Sequence, residues 1–294
     1  MNSAQLFEIE LFAQSLVKGA ALGLYLTPKP GLVDMADAGA HPDLTLAKME
    51  HSLEIIDDYL AELIRSLSDG ERLLCQAVVG RRAEQVMLEE CGTNTLKGYI
   101  FLSGLLLIAR WHAGANNQER LRQTVARLAE EYFAIRGEEE TNGRTARRRF
   151  RTGGIVQEAL AGLPALFDCA VPAYLEGIGR FGCFTTASFF MLARLMQTVE
   201  DTTTLHRGGT MGLARLRRDG QSLERAITGQ GDVIGLLTVL NDEYVRMNLT
   251  MGGVGDLLCL AYGYLTASGQ LMGDAGGAHR SKPQISRRRC LAGN

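Results

Sequence analysis

Charged side chains gather at a few places in the chain, each beside glycine or proline. "YLTPKPGLVDMADAGAHPD", Tyr25 to Asp43, sets Lys29 between Pro28 and Pro30 and continues with Asp34, Asp37, His41 and Asp43. Flanking prolines keep a lysine extended and out of helix, which suits an ammonium aimed at a phosphate oxygen. A proline-bounded turn with a solvated lysine is the alternative. Asp34 and Asp43 offer hard oxygens for Mg²⁺, an ion that takes one or two carboxylates and fills its shell with water and substrate phosphates. Asp43 is equally placed to N-cap a helix starting at Leu44.

Three further joints carry chemistry. In "GTNTLKGYIF", Asn94 or Thr95 can cap a helix that has Lys97 in its first turn. The helix dipole disfavours a cation there; a bound anion would relieve the conflict, as would snorkelling to water. "VEDTTTLHRGGTMG" is the most polar joint: Glu200 and Asp201 close an apolar run, and His206, Arg207, Gly208 and Gly209 open the next. Acid, imidazole and guanidinium together suit metal binding or proton transfer beside a phosphate clamp, against the alternative of an Asp–Arg ion pair. "TMGGVGDLLCLAYGYL" puts Asp256 behind glycines in a first turn. The dipole alone accounts for an acid there, and Asp256 could also complete a carboxylate cluster with Asp34 and Asp201. Glu158, in "GGIVQEALAGLP", has the same two readings. Glycine lets a backbone approach a phosphate, and helix N-termini present free N–H groups to it.

The elements that must position these groups are helices. Leu6, Ile9, Phe12, Leu16 and Ala20 fall at helical spacing, as do Leu53, Ile56, Leu60 and Ile64. Leu121, Val125 and Leu128 mark another face, and Phe189, Leu192, Leu195, Met196 and Val199 one more. Alternating strand patterns are missing. We expect a single-domain, all-α, multi-helix bundle over residues 1–272, with the Gly-rich joints at its ends forming the site. A disordered basic tail is expected over residues 273–294.

Composition narrows the function. The chain has 294 residues, 46% of them apolar, and a formal net charge of -2, which gives no global pull toward nucleic acid or membrane. The apolar run Tyr99–Ala109 is too short for a bilayer, which takes about 20 residues, and reads as a buried core helix. The basic cluster Arg144–Arg151 reads as a solvated face or loop rather than an RNA patch, having few aromatics for stacking. Six cysteines without any C-x-x-C and a start without a basic n-region point to reduced, mostly buried thiols in the cytoplasm. A helical enzyme of this size could form a homodimer.

"LTPKPGLVD", "NT.KG", "DT...HRGG" and "GG..DLL", in this order from about Ala4 to Gly269, resemble the motifs of the triphosphoribosyl-dephospho-CoA synthase family. That family supplies the prosthetic-group precursor of citrate lyase and malonate decarboxylase. The resemblance implies an all-helical transferase that joins ATP to 3′-dephospho-CoA, releases adenine and uses Mg²⁺. On it, Lys29, Asn94, Lys97, Arg207, Gly208 and Gly209 would face phosphates. Asp34, Asp43, Asp201 and Asp256 would serve metal or base roles, with Glu158 beside them and His41 or His206 as the acid. The chain departs from the family pattern at Leu96, where the family has histidine, at Val156, where it has arginine, and at Val254, where it has serine. These departures leave open a paralogue with another acceptor or nucleotide reaction, and a non-catalytic nucleotide- or CoA-binding protein.

Overall fold

The computed structural model describes residues 3–93, 95–114, 117–135, 145, 148–150 and 152–271, and among them there is no strand. The helices are α1 (Ser3–Tyr25), α2 (Leu46–Ser68), α3 (Leu73–Cys91), α4 (Lys97–Ala113), α5 (Gln118–Ile135) and α6 (Gly154–Leu160). They continue with α7 (Ala165–Phe181, its first turns Ala165–Ala170 wound as π-helix), α8 (Phe184–Thr198), α9 (Thr202–Thr228), α10 (Val233–Arg246) and α11 (Gly252–Ala267). The all-α expectation holds. Residues 273–294 and Asn94 lie outside the described residues, as does most of the arginine cluster.

Two helices are apolar on every side, and they form the centre. In α4 every residue from Leu102 to Ala109 is buried, and in α11 every residue from Leu257 to Gly263. A helix without a polar face must be wrapped. The surrounding helices are amphipathic: α2 turns Ile56, Leu60 and Leu63 inward at full burial, each worth about 1.5–3 kcal/mol. Among the described residues no single helix is long and apolar enough to cross a membrane.

The closest packing is between α1 and α11. A Cβ at Gly19 would sit 2.3 Å from the Gly263 backbone nitrogen and 2.5 Å from the Cys259 carbonyl oxygen. Rigid backbone cannot yield as a side chain can, so Gly19→Ala forces the helices apart. Overpacking of this kind costs about 1–3 kcal/mol, and we expect that loss in urea unfolding. The fit matters to the site because α1 delivers the Lys29 loop and α11 carries Asp256.

Helix boundaries correct several expectations. Thr45, not Asp43, caps α2, accepting the Lys48 N–H. Leu96 occupies the N-cap of α4 and gives no side-chain cap, where Asn94 or Thr95 was expected. Val199 lies just past α8 in extended conformation. Of the described cysteines, Cys91 and Cys259 are buried, Cys169 and Cys183 half-buried, and Cys75 exposed, so burial is less general than expected.

Candidate active site

The loop between α1 and α2 is long because it folds on itself. Asp34 Oδ2 accepts the Lys29 N–H at 2.7 Å and its Oδ1 accepts the Ala36 N–H at 2.7 Å. From α10, Asn241 accepts the Gly31 N–H at 2.9 Å and donates to Asp37 at 2.7 Å. Lys29 is 3% exposed. Its ammonium donates to the carbonyls of Leu24, at 2.8 Å, and Leu26, at the C-terminal end of α1, where the helix dipole favours a cation. Burial pulls its pKa down to about 8, with Asp34 opposing. Two of three ammonium protons are thus committed, which leaves one for a ligand.

A second knot joins the α8–α9 joint to the start of α11. Asp201 caps α9 with Oδ1 on the Thr204 N–H at 2.8 Å, and its Oδ2 takes the Val254 N–H at 2.9 Å. Both bonds favour the ionised form, yet full burial dominates and raises the pKa. The Thr204 hydroxyl donates to the Thr250 carbonyl at 2.7 Å. One turn on, Arg207 Nη1 donates to the Ala40 carbonyl at 2.6 Å and to Asn248 Oδ1 at 2.9 Å. The helix breaks at Gly209, with φ 59° and ψ -160°, a region open essentially to glycine alone.

Between these knots lies a cavity of about 350 Å³. It brings together Lys29, His41, Asp43, Lys97, Arg207 and Asp256, from four joints far apart in sequence. Leu24, Leu44, Met49, Leu53 and Leu96 form an apolar wall. Lys97 is held by Glu84 of α3 at 2.6 Å, and Asp43 at the exposed rim accepts the Thr93 hydroxyl at 2.7 Å. That bond is the main cause holding the Asp43 pKa below the usual carboxylate value. Asp256 presses on α4 so closely that a Cβ at Gly98 would come within 1.9 Å of its Oδ2. Desolvation first, and Asp201 second, push its pKa up to about 8 against the backbone hydrogen bond from Tyr99.

Other expected site residues stand apart. Asp34 and Asp201 do not line the cavity, and their oxygens serve backbone N–H groups. His206 is exposed and off the cavity, and so are Gly208 and Gly209 off it, their service being to the turn of the chain. Glu158 caps α7 by accepting the Ala165 N–H at 2.5 Å, with its pKa raised to about 7 by burial; it too lies off the cavity. The expected four-carboxylate metal set therefore does not assemble: among the described residues no three His, Cys, Asp or Glu side chains come together to hold a metal. His41 fits poorly as an acid. Burial and Arg207 lower its pKa to about 4, which leaves it neutral and without a second proton to give near neutral pH.

Sequence reading passed over Asn241, Asn248, Thr250 and Glu84. Asn241 had a usable signal, an amide at helical spacing from Leu237 and Tyr244 on the apolar face of its helix, since a buried amide must find partners. Asn248 and Thr250 lie within four residues of the Gly252–Gly253 pair. Glu84, on a helix full of charges, had none. Of the three departures, Leu96 lines the cavity, while Val156 and Val254 do not.

An all-helical chain whose joints converge on one cation-rich cavity has the build of an enzyme for a polyanionic substrate. A family model for ATP:dephospho-CoA triphosphoribosyl transferase matches residues 9–271. A 2-(5″-triphosphoribosyl)-3′-dephosphocoenzyme-A synthase of Klebsiella pneumoniae is 31% identical over 258 residues, 81% of this chain and 84% of that protein. Probable synthases of the same name match from Pectobacterium carotovorum, at 32% identity over 85% of this chain and 86% of that protein, and from Pseudomonas putida, at 30% over 84% and 90%. No solved structure matches the chain significantly. The chain belongs to the ATP:dephospho-CoA triphosphoribosyl transferase family, and it is a transferase whose family substrates are ATP and dephospho-CoA.

Proposed function

We propose that the cavity is where the triphosphoribosyl group of ATP passes to the 2′-hydroxyl of 3′-dephospho-CoA with loss of adenine. One observation carries this reading: Lys29, Lys97, Arg207 and Asp256 come from separate joints and line the same space. Lys29, Lys97 and Arg207 hold the triphosphate, which is bound but not cleaved. The C1′–N bond of ATP breaks with its electron pair going to adenine, and the acceptor oxygen bonds to C1′. A departing base leaves more readily once protonated, and Asp256 supplies that proton, since a carboxyl with a pKa of about 8 is neutral at pH 7. In an oxocarbenium-like transition state the nucleophile is barely bonded. Its proton is therefore shed after the C–O bond forms, to water at the exposed rim, and Asp256 is reloaded from solvent.

Mg²⁺ fits this arrangement as a companion of ATP. Two carboxylates line the cavity and only Asp43 stays ionised, so Asp43 would hold the ion, with triphosphate and water completing its shell. Bound there, it would supply neutralisation of the triphosphate.

The test is incubation of the purified protein with ATP, Mg²⁺ and 3′-dephospho-CoA, each omitted in turn, with adenine and the CoA product followed by mass spectrometry. We expect adenine and the triphosphoribosyl adduct in equal amounts, and neither without ATP. Adenine release that does not need dephospho-CoA would mean another acceptor. Intact ATP with both ligands bound would leave a binding protein.

A further inference from the structure

We propose that Thr250 is a positioning residue that fixes the tautomer of His41 and thereby holds Arg207 at the triphosphate. The inference rests on the reading above for what Arg207 does, but its geometry stands by itself. The hydroxyl of Thr250, fully buried, donates its one proton to the Gly31 carbonyl at 2.9 Å. What its oxygen has left is lone-pair density, and His41 Nε2 lies 2.9 Å from it. Two acceptors cannot face each other at that distance, so Nε2 carries the ring proton. The other ring nitrogen of a neutral imidazole is then a bare acceptor. Arg207 Nη2 lies 3.3 Å from that Nδ1.

The chain of bonds has a direction: Arg207 donates to His41, His41 to Thr250, and Thr250 to Gly31. Reversing the tautomer would set an N–H against the guanidinium. Arg207 Nη1 has both protons committed, to Ala40 and Asn248, and one proton on Nη2 goes to His41. Nε–H and one Nη2–H remain of five. An arginine held through three of its five donors has little rotamer freedom left to lose when a phosphate arrives, which is preorganisation in the sense that saves affinity. Thr250 touches no cavity surface, so it works through what its hydroxyl holds, the His41 ring on one side and the Gly31 carbonyl on the other.

The experiment combines a spectroscopic and a kinetic readout on the full chain. Nitrogen-15 NMR of the imidazoles, with His41 assigned by its loss in His41→Asn, is expected to show a bare Nδ1 and a protonated Nε2. Thr250→Val keeps the shape and removes the hydroxyl; it is expected to mix the tautomers and raise KM for ATP about tenfold with kcat little changed, the mark of lost binding common to ground and transition states. Thr250→Ser is expected to restore both. His41→Asn, whose carbonyl oxygen stands near the place of Nδ1, is expected to bind ATP better than His41→Gln. An Nδ1–H tautomer in the unmodified protein overturns the proposal, and so does a Thr250→Ser variant as impaired as Thr250→Val. Arg207→Met separates the two readings. If it leaves KM for ATP unchanged, the triphosphate assignment fails; if it raises KM while Thr250→Val does not, only the relay fails.

Discussion

Asp256→Asn lowers kcat by about 10²–10⁴-fold, the range for loss of a positioned general acid, while KM for ATP stays close to that of the unmodified protein. The substitution is nearly isosteric, so the tight contact with Gly98 is kept, and the amide oxygen can still accept the Tyr99 N–H. What goes is the transferable proton. The pH profile gives a second check. If protonated Asp256 is the working form, kcat of the unmodified protein falls as pH rises through about 8, and the variant shows no such limb. Stability carries the same group with its own sign. The folded carboxyl holds its proton to about pH 8 while the unfolded one releases it near 3.8. The folded state therefore binds more protons across that window, and stability declines as pH rises through it and levels off above. Asp256→Asn removes this slope. Full activity of the variant with adenine as product would take Asp256 out of the chemistry.

The fold was legible because the apolar periodicity is strong and the strand pattern missing. Ile9, Phe12, Leu16 and Ala20 are buried as their spacing requires, and the run at Tyr99–Ala109 is the core helix it resembles. Convergence of the joints was legible as an expectation, because joints at one end of a helical bundle can meet, and four of them do so at the cavity. Division of labour among the acids was not. Asp34, Asp43, Asp201 and Asp256 look alike in sequence, each beside glycine or a helix start. Their fates are decided by which N–H groups the fold presents: Val254 of α11 to Asp201, Lys29 and Ala36 of its own loop to Asp34, and Tyr99 of α4 to Asp256. The α2 cap failed for a smaller reason, since Asp43 and Thr45 are both good caps and its bond to Thr93 draws Asp43 elsewhere. His206 and Arg207 are neighbours in sequence, but helical geometry points them about 100° apart, so only one of them reaches the cavity.

Asp201→Asn is the sharpest test of a structural acid where the sequence suggested a chemical one. Asparagine is as good an N-cap as aspartate, so the Thr204 N–H keeps its acceptor. The second oxygen, however, becomes an NH₂ group facing the Val254 N–H, which lies at 2.9 Å from Oδ2 in a site only 1% exposed. Donor against donor leaves the Val254 N–H without a partner, and an orphaned buried group costs about 1–3 kcal/mol. Asp201→Ala loses the cap as well, a further cost of about 0.5–2 kcal/mol. Urea unfolding should therefore rank the unmodified protein above Asp201→Asn and that above Asp201→Ala. Turnover per folded molecule should fall far less than in Asp256→Asn, because Asp201 reaches the cavity only indirectly, by fixing the first turn of α11 from which Asp256 projects and by adding to desolvation in raising the Asp256 pKa. A variant that keeps full stability and loses turnover would reverse this ordering and return Asp201 to the catalytic or metal role its place beside His206 and Arg207 suggests.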